Sequence, residues 1–353
     1  MALDEHRRNN FDLVRLTAAS QVLWMHATRH LDLGLSQPVA MFDAVLNTIP
    51  GVPAFFVVSG FLITDAWQRR PDPFIYARNR ILRVYPALWA CLLFGIALAV
   101  GFGHGPAMLA DPRALLLWLA AQLSVLQAWN PDFLRGFGVG VLNGSLWTIP
   151  VELQFYLVLP FLLLLPRRLM LLAFVASALC YAVVEGPRPL PLANRVALLS
   201  LVPHLFMFGL GVLARLHFRS VLGFVAGRFP AWLALHLAVQ LGLAAAGFGD
   251  NPWAETFTRP LLAGVVLSAA FSAPDLATRL LRGNDVSYGL YLVHMPVLNA
   301  VIAAGGTGRW DIGLAAMAAC YALALLSWRL IERPALSLKR RRAPALRPEA
   351  RPG

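Results

Sequence analysis

Long runs of apolar residues, separated by short clusters of arginine and proline, dominate this chain. The runs are longer than core helices of soluble domains need and match the ~20 residues that cross a bilayer. Ten are predicted, at about 12–30, 50–68, 84–102, 147–166, 169–185, 197–214, 230–248, 258–274, 285–304 and 311–331. Residues 114–129 are apolar but short, with the glycine-rich GFGVGVLNG behind them. If that segment crosses fully, the later arginine clusters fall on the side opposite the earlier ones. If it is re-entrant or lies on the surface, every basic cluster falls on one side, as positive-inside topology requires. The expected fold is therefore an all-α, polytopic membrane bundle of about ten transmembrane helices plus one re-entrant or surface segment. Residues 1–10 form a cytoplasmic N-terminal segment, 11–334 the membrane domain, and 335–353 a basic, proline-rich, disordered cytoplasmic tail. Localisation in a bacterial inner membrane with both termini cytoplasmic is expected.

Composition agrees with the pattern. The 353 residues are 58% apolar and only 14% charged, well below the roughly one quarter charged typical of soluble domains. A net charge of +12 suggests nucleic acid at first sight. The arginines mark loops between apolar runs instead, so no nucleic-acid partner is expected and membrane lipids are. Cys91, Cys180 and Cys320 lie inside apolar runs, far apart, and read as small buried hydrophobes rather than a metal or redox unit.

One run departs from plain hydrophobicity. Phe11 to His30 carries Asp12, Arg15 and His26. Arg15 and His26 are eleven positions apart, about three helical turns, so they share one face and stand roughly 16 Å apart along the axis. Charges within a span are costly and usually functional. The alternative is an arginine snorkelling to headgroups and a hydrogen-bonded structural histidine.

Several motifs occur in order. They are Arg15 and His26; FFVVSGFLI at 55–63; Arg80, Arg83 and Pro86; SLWTIPVELQFYLVLP at 145–160; SYGLYLVHMP at 287–296; and ERP at 332–334. Together they resemble the acyltransferase-3 family of integral-membrane acyltransferases. The resemblance covers nearly the whole chain. It implies transfer of an acyl group, most often acetyl, from cytoplasmic acyl-CoA to a hydroxyl of an extracytoplasmic carbohydrate, with acyl-CoA as donor substrate and no metal.

The residue types fit that chemistry. Acyl transfer to an alcohol needs a base, and His26 is the candidate. Glu152 is the carboxylate expected to orient it, although an acid one turn into a helix also suits the N-terminal dipole. Arg15, Arg80 and Arg83 are the expected donor clamp; Arg80 and Arg83 are three apart and share a helix face. A basic loop that only marks topology is the alternative for that pair. Asn143, Trp147 and His294 are candidate acceptor contacts, with interface anchoring the plainer role for Trp147. Ser59 lacks a nucleophile elbow and reads as a packing serine. Two rival functions remain: a proton-coupled transporter or flippase of an envelope precursor, disfavoured because no paired half-repeat is visible, and a scaffold in an envelope-polymer complex.

Overall fold

The computed structural model describes residues 9–186, 197–249, 251–273 and 275–339. Arg7, Arg8 and most of the basic tail lie outside them.

Proline and capping side chains begin many of the helices, because they suit backbone groups with no partner inside the helix. The order is α1 (Phe11–His30), α2 (Gln37–Asn47), α3 (Gly51–Arg69), α4 (Pro73–Gly101), α5 (Gly105–Ala110), α6 (Pro112–Leu123), α7 (Thr148–Leu162) and α8 (Arg167–Val184). Then come α9 (Leu205–Leu216), α10 (Phe218–Val225), α11 (Phe229–Ala245), α12 (Pro252–Phe271), α13 (Leu276–Leu281), α14 (Ser287–Ala303), α15 (Trp310–Ser327) and α16 (Arg333–Ser337). Asp72 accepts from the Ile75 amide at the start of α4, and Asp111 does the same for Ala114 at α6. Among the described residues there is no strand.

This is a helical membrane protein. Among the described residues, five helical stretches are long and apolar enough to cross a membrane: Gln37–Arg69, Pro73–Gly101, Gly144–Leu162, Arg167–Val184 and Trp310–Ser337. A sixth arises if α9 and α10, bent by 99° at His217, count as one span. Ten were expected. The shortfall has a physical cause: α1 dilutes its apolar run with Asp12, Arg15 and Arg29, α12 carries Glu255 and Arg259, and α11 and α14 have 17 residues each. The doubtful segment 114–129 is not a long helix. It lies on the short α6 and the irregular chain after it, and a single 3₁₀ turn follows at Asp132–Leu134.

Two close approaches set the positions of the site helices. A methyl group on Gly60 of α3 would lie 2.0 Å from the Phe208 carbonyl oxygen, and one on Gly211 of α9 would lie 2.1 Å from that of Val57. Small residues let these two backbones touch, the usual device where lipid offers no hydrophobic drive for packing. At the start of α1, the Asn10 side chain donates to the carbonyls of Ser272 and Ala273 and accepts from the Ala277 amide, tying α1 to α12 and α13.

Candidate active site

Helices α1 and α14 pack side by side and run the same way from the arginine-rich end of the bundle. Arg15 of α1 meets Asp285, just before α14, at 2.9 Å. His26 of α1 meets His294 of α14, Nδ1 to Nε2, at 2.8 Å. Eleven residues separate Arg15 from His26, and nine separate Asp285 from His294. At 1.5 Å per residue these are rises of roughly 16 and 14 Å. The two contacts are therefore rungs of one ladder, an ion pair at the basic end and an imidazole pair deeper in.

A cavity of about 110 Å³ opens beside the ion-pair rung. Val52, Phe55, Phe56, Ser59, Leu62 and Ile63 of α3 line it at helical spacing, which makes one face of α3 its wall. Arg15, Arg80 and Arg83 line it at the basic end, with Glu152, Tyr156, Tyr288 and Tyr291 on the other helices.

The three arginines are not equivalent. Asp285 accepts from both Arg15 and Arg83, at 2.9 and 2.6 Å, and Glu332 stands 3.9 Å from Arg83. Arg80 has no carboxylate within ion-pair distance among the described residues. Its guanidinium lies over the rings of Tyr76 and Tyr156, and its Nε has no partner. A cation so placed is open to an anionic ligand. The three expected donor-clamp residues thus converge on one cavity.

Glu152 is not the partner of His26. Its Oε1 accepts from Ser59 Oγ at 3.0 Å and from Tyr156 OH at 2.5 Å, so the carboxylate belongs to the cavity wall. The i, i+4 spacing of Glu152 and Tyr156 on α7 makes the second contact local. Ser59, read from sequence as a packing serine, is a polar group on the cavity surface. The ring of His26 faces His294 in the bundle rather than lipid, yet neither histidine lines the cavity. The cavity ends at Tyr291, whose ring is 5.8 Å from that of His294 and 5.7 Å from that of Phe55. Tyr291 is fixed there by Thr148 Oγ1 at 2.8 Å and the Ser145 carbonyl at 2.9 Å.

The expected acceptor contacts divide. His294 is fully buried on the second rung. Asn143 is 4% exposed and fully engaged: it donates to the Leu292 carbonyl at 2.8 Å and accepts from the Ser145 amide and hydroxyl, capping the 3₁₀ turn Gly144–Trp147. It is a structural bridge between that turn and α14, not an open donor. Trp147 packs against His204 at 5.5 Å. Sequence reasoning missed Asp285 and Glu332. Asp285 lies two residues before the SYGLYLVH element, and an acid amid basic clusters was the available signal. Glu332 is 2% exposed and sits in a π-helical turn, Trp328–Glu332, a local irregularity that often marks function. Among the described residues, no three or more His, Cys, Asp or Glu side chains gather as a metal site would require.

The acyltransferase-3 family model, described as an acyltransferase domain, matches residues 8–329. Nodulation protein 10 of Rhizobium leguminosarum bv. viciae is 37% identical over 347 residues, 94% of each chain. The O-acetyl transferase of Shigella phage Sf6 is 26% identical over 348 residues, 93% of this chain and 96% of its own. No solved structure matches.

Proposed function

The chain belongs to the acyltransferase-3 family and is a membrane acyltransferase, and from that premise we propose that it moves an acetyl group from acyl-CoA to a hydroxyl of an extracytoplasmic carbohydrate. The observation that carries this reading is the ladder: Arg15, one of three arginines that line the cavity, and His26 stand on one face of α1, three turns apart. The relative named an O-acetyl transferase supports acetyl as the group and oxygen as the acceptor atom.

In this reading Arg80, Arg15 and Arg83 hold the donor phosphates at the cytoplasmic mouth, and the pantetheine arm follows the α3 wall towards Tyr291. A long flexible donor suits the roughly 16 Å between Arg15 and His26. Movement of the Tyr291 ring joins the cavity to the histidine pair. The acceptor hydroxyl enters from the opposite side, and His26 takes its proton. The oxygen attacks the thioester carbonyl, the C–S bond breaks, and the thiolate leaves with the proton held by His26. Ten crossings with both termini cytoplasmic fit best. Counting α1, α2 with α3, α4, α7, α8, α9 with α10, α11, α12, α14 and α15 gives that number, and α5 and α6 then dip into one face as the re-entrant segment.

The test uses membrane vesicles holding the full-length protein, labelled acetyl-CoA outside on the cytoplasmic face, and the endogenous glycan. Label on the glycan that disappears with His26→Ala supports the proposal. Glycan movement without covalent label would replace it with transport.

A further inference from the structure

We propose that His294 is a positioning residue for His26: it holds His26 in the tautomer whose Nε2 is the unprotonated nitrogen. This rests on the reading of His26 as the base.

The argument is a count of protons. The main-chain carbonyl of Leu290 accepts hydrogen bonds and has none to give. It lies 3.3 Å from Nδ1 of His294, so that nitrogen carries the ring proton. A neutral imidazole has one such proton, which leaves Nε2 of His294 with a bare lone pair. That lone pair faces Nδ1 of His26 at 2.8 Å. Two lone pairs do not share a contact that short, so Nδ1 of His26 is the donor. The proton of His26 is then spent, and its Nε2 is bare.

Ring geometry agrees. The two centroids are 5.0 Å apart with an interplanar angle of 25°. That separation is the N···N distance plus about one ring's width. The rings thus meet edge to edge and nearly coplanar, the direction in which an imidazole N–H and an in-plane lone pair point. Full burial of His294 and the Tyr291 ring beside it hold the acceptor in place. Carboxylates usually orient a base histidine. Among the described residues none is hydrogen-bonded to His26, because Glu152 is held by Ser59 and Tyr156.

The consequence for the reaction is definite. Nε2 of His26 receives the acceptor's proton. The imidazolium that forms keeps its Nδ1–H on His294, and that bond strengthens as it becomes charge-assisted. The added proton is carried on Nε2 of His26 until the thiolate takes it.

The first test needs neither donor nor acceptor. Full-length protein labelled with ¹⁵N-histidine in lipid bilayers is studied by solid-state NMR, with the His26 signals identified by their loss in His26→Ala. Expected are a protonated Nδ1 and a pyridine-type Nε2 for His26; the reverse assignment overturns the proposal. The second test is kinetic, with acetyl-CoA and glycan-bearing membranes. His294→Leu lowers kcat about 10²-fold or more with the donor KM unchanged, in line with other losses of a base-orienting partner. His294→Gln, whose amide oxygen can accept from Nδ1, restores most of that loss. If His294→Leu keeps kcat within threefold of wild type while His26→Ala is inactive, the orienting role is wrong and the base assignment stands. If His26→Ala is itself active, the base assignment fails.

Discussion

Arg80 is the sharpest point at which to test the donor site. Arg83, three residues on, is bound to Asp285 at 2.6 Å and lies near Glu332, so its charge already has carboxylate partners. Arg80 has only aromatic faces beneath it and an unpartnered Nε. The same substitution should therefore act on different quantities at the two positions. A hydrogen bond from a charged group to a ligand contributes about 1.5–3 kcal/mol. Since 1.4 kcal/mol is about tenfold, Arg80→Gln should raise the donor KM by about 10- to 150-fold. It should lower stability by no more than the loss of a cation–π contact, ~0.5–1 kcal/mol. Arg83→Gln leaves Asp285 with Arg15 alone and takes the nearby cation from Glu332 in a largely buried place, so its cost should approach the about 3–5 kcal/mol of breaking a buried pair. The assay is paired: initial rates against acetyl-CoA concentration in vesicles, and thermal unfolding of both variants in one detergent. A donor KM for Arg80→Gln within twofold of wild type, or a loss of stability equal to that of Arg83→Gln, would refute the idea that Arg80 is kept open for the donor.

Other outcomes follow from the same structure. The Lys339 amine, outside the spans, is pushed down to about 7 by burial and by the charges of Arg80, Arg83 and Arg15. Below that pH it is already charged; between about 7 and the ordinary lysine value, a bound phosphate restores its proton. Donor binding should then take up a proton, and apparent Kd should rise with pH, by up to ~tenfold per unit, above about 7. Calorimetry in buffers of different ionisation heat reads the uptake, and Lys339→Arg should abolish it. Tyr291→Phe removes the hydroxyl bonded to Thr148 and Ser145 while keeping the ring. It should change kcat more than donor KM, whereas equal effects on both would argue against a gating position. Gly211→Ala forces α3 and α9 apart at Val57, so thermal stability should fall by about 1–3 kcal/mol with loss of the α3 cavity wall. Glu152→Gln keeps its contacts to Ser59 and Tyr156 but not its charge. If the carboxylate acts only within the cavity wall, this variant should leave the His26 tautomer signals unchanged in the NMR experiment.

Much of this protein was legible along the chain. Apolar runs announce helices because backbone polar groups in lipid must be satisfied within the helix itself. Spacing places Arg15 with His26, Arg80 with Arg83, and Glu152 with Tyr156, because a single helix repeats every 3.6 residues whatever surrounds it. Relations between helices were not legible in that way. The sequence contains His26, Glu152 and His294 without stating which two meet; in the fold it is the two histidines that hydrogen-bond. Asp285 joins Arg15 to Arg83 across 270 and 202 positions. Ser59 lies on the cavity wall, bonded to Glu152 of α7, and the backbone contact of α3 with α9 at Gly60 and Gly211 sets how α3 is turned. Helical periodicity is a local property of one segment. The partner of a buried polar group depends on how several segments are rotated and slid against one another, and that is decided only when their close-packed surfaces are fitted together.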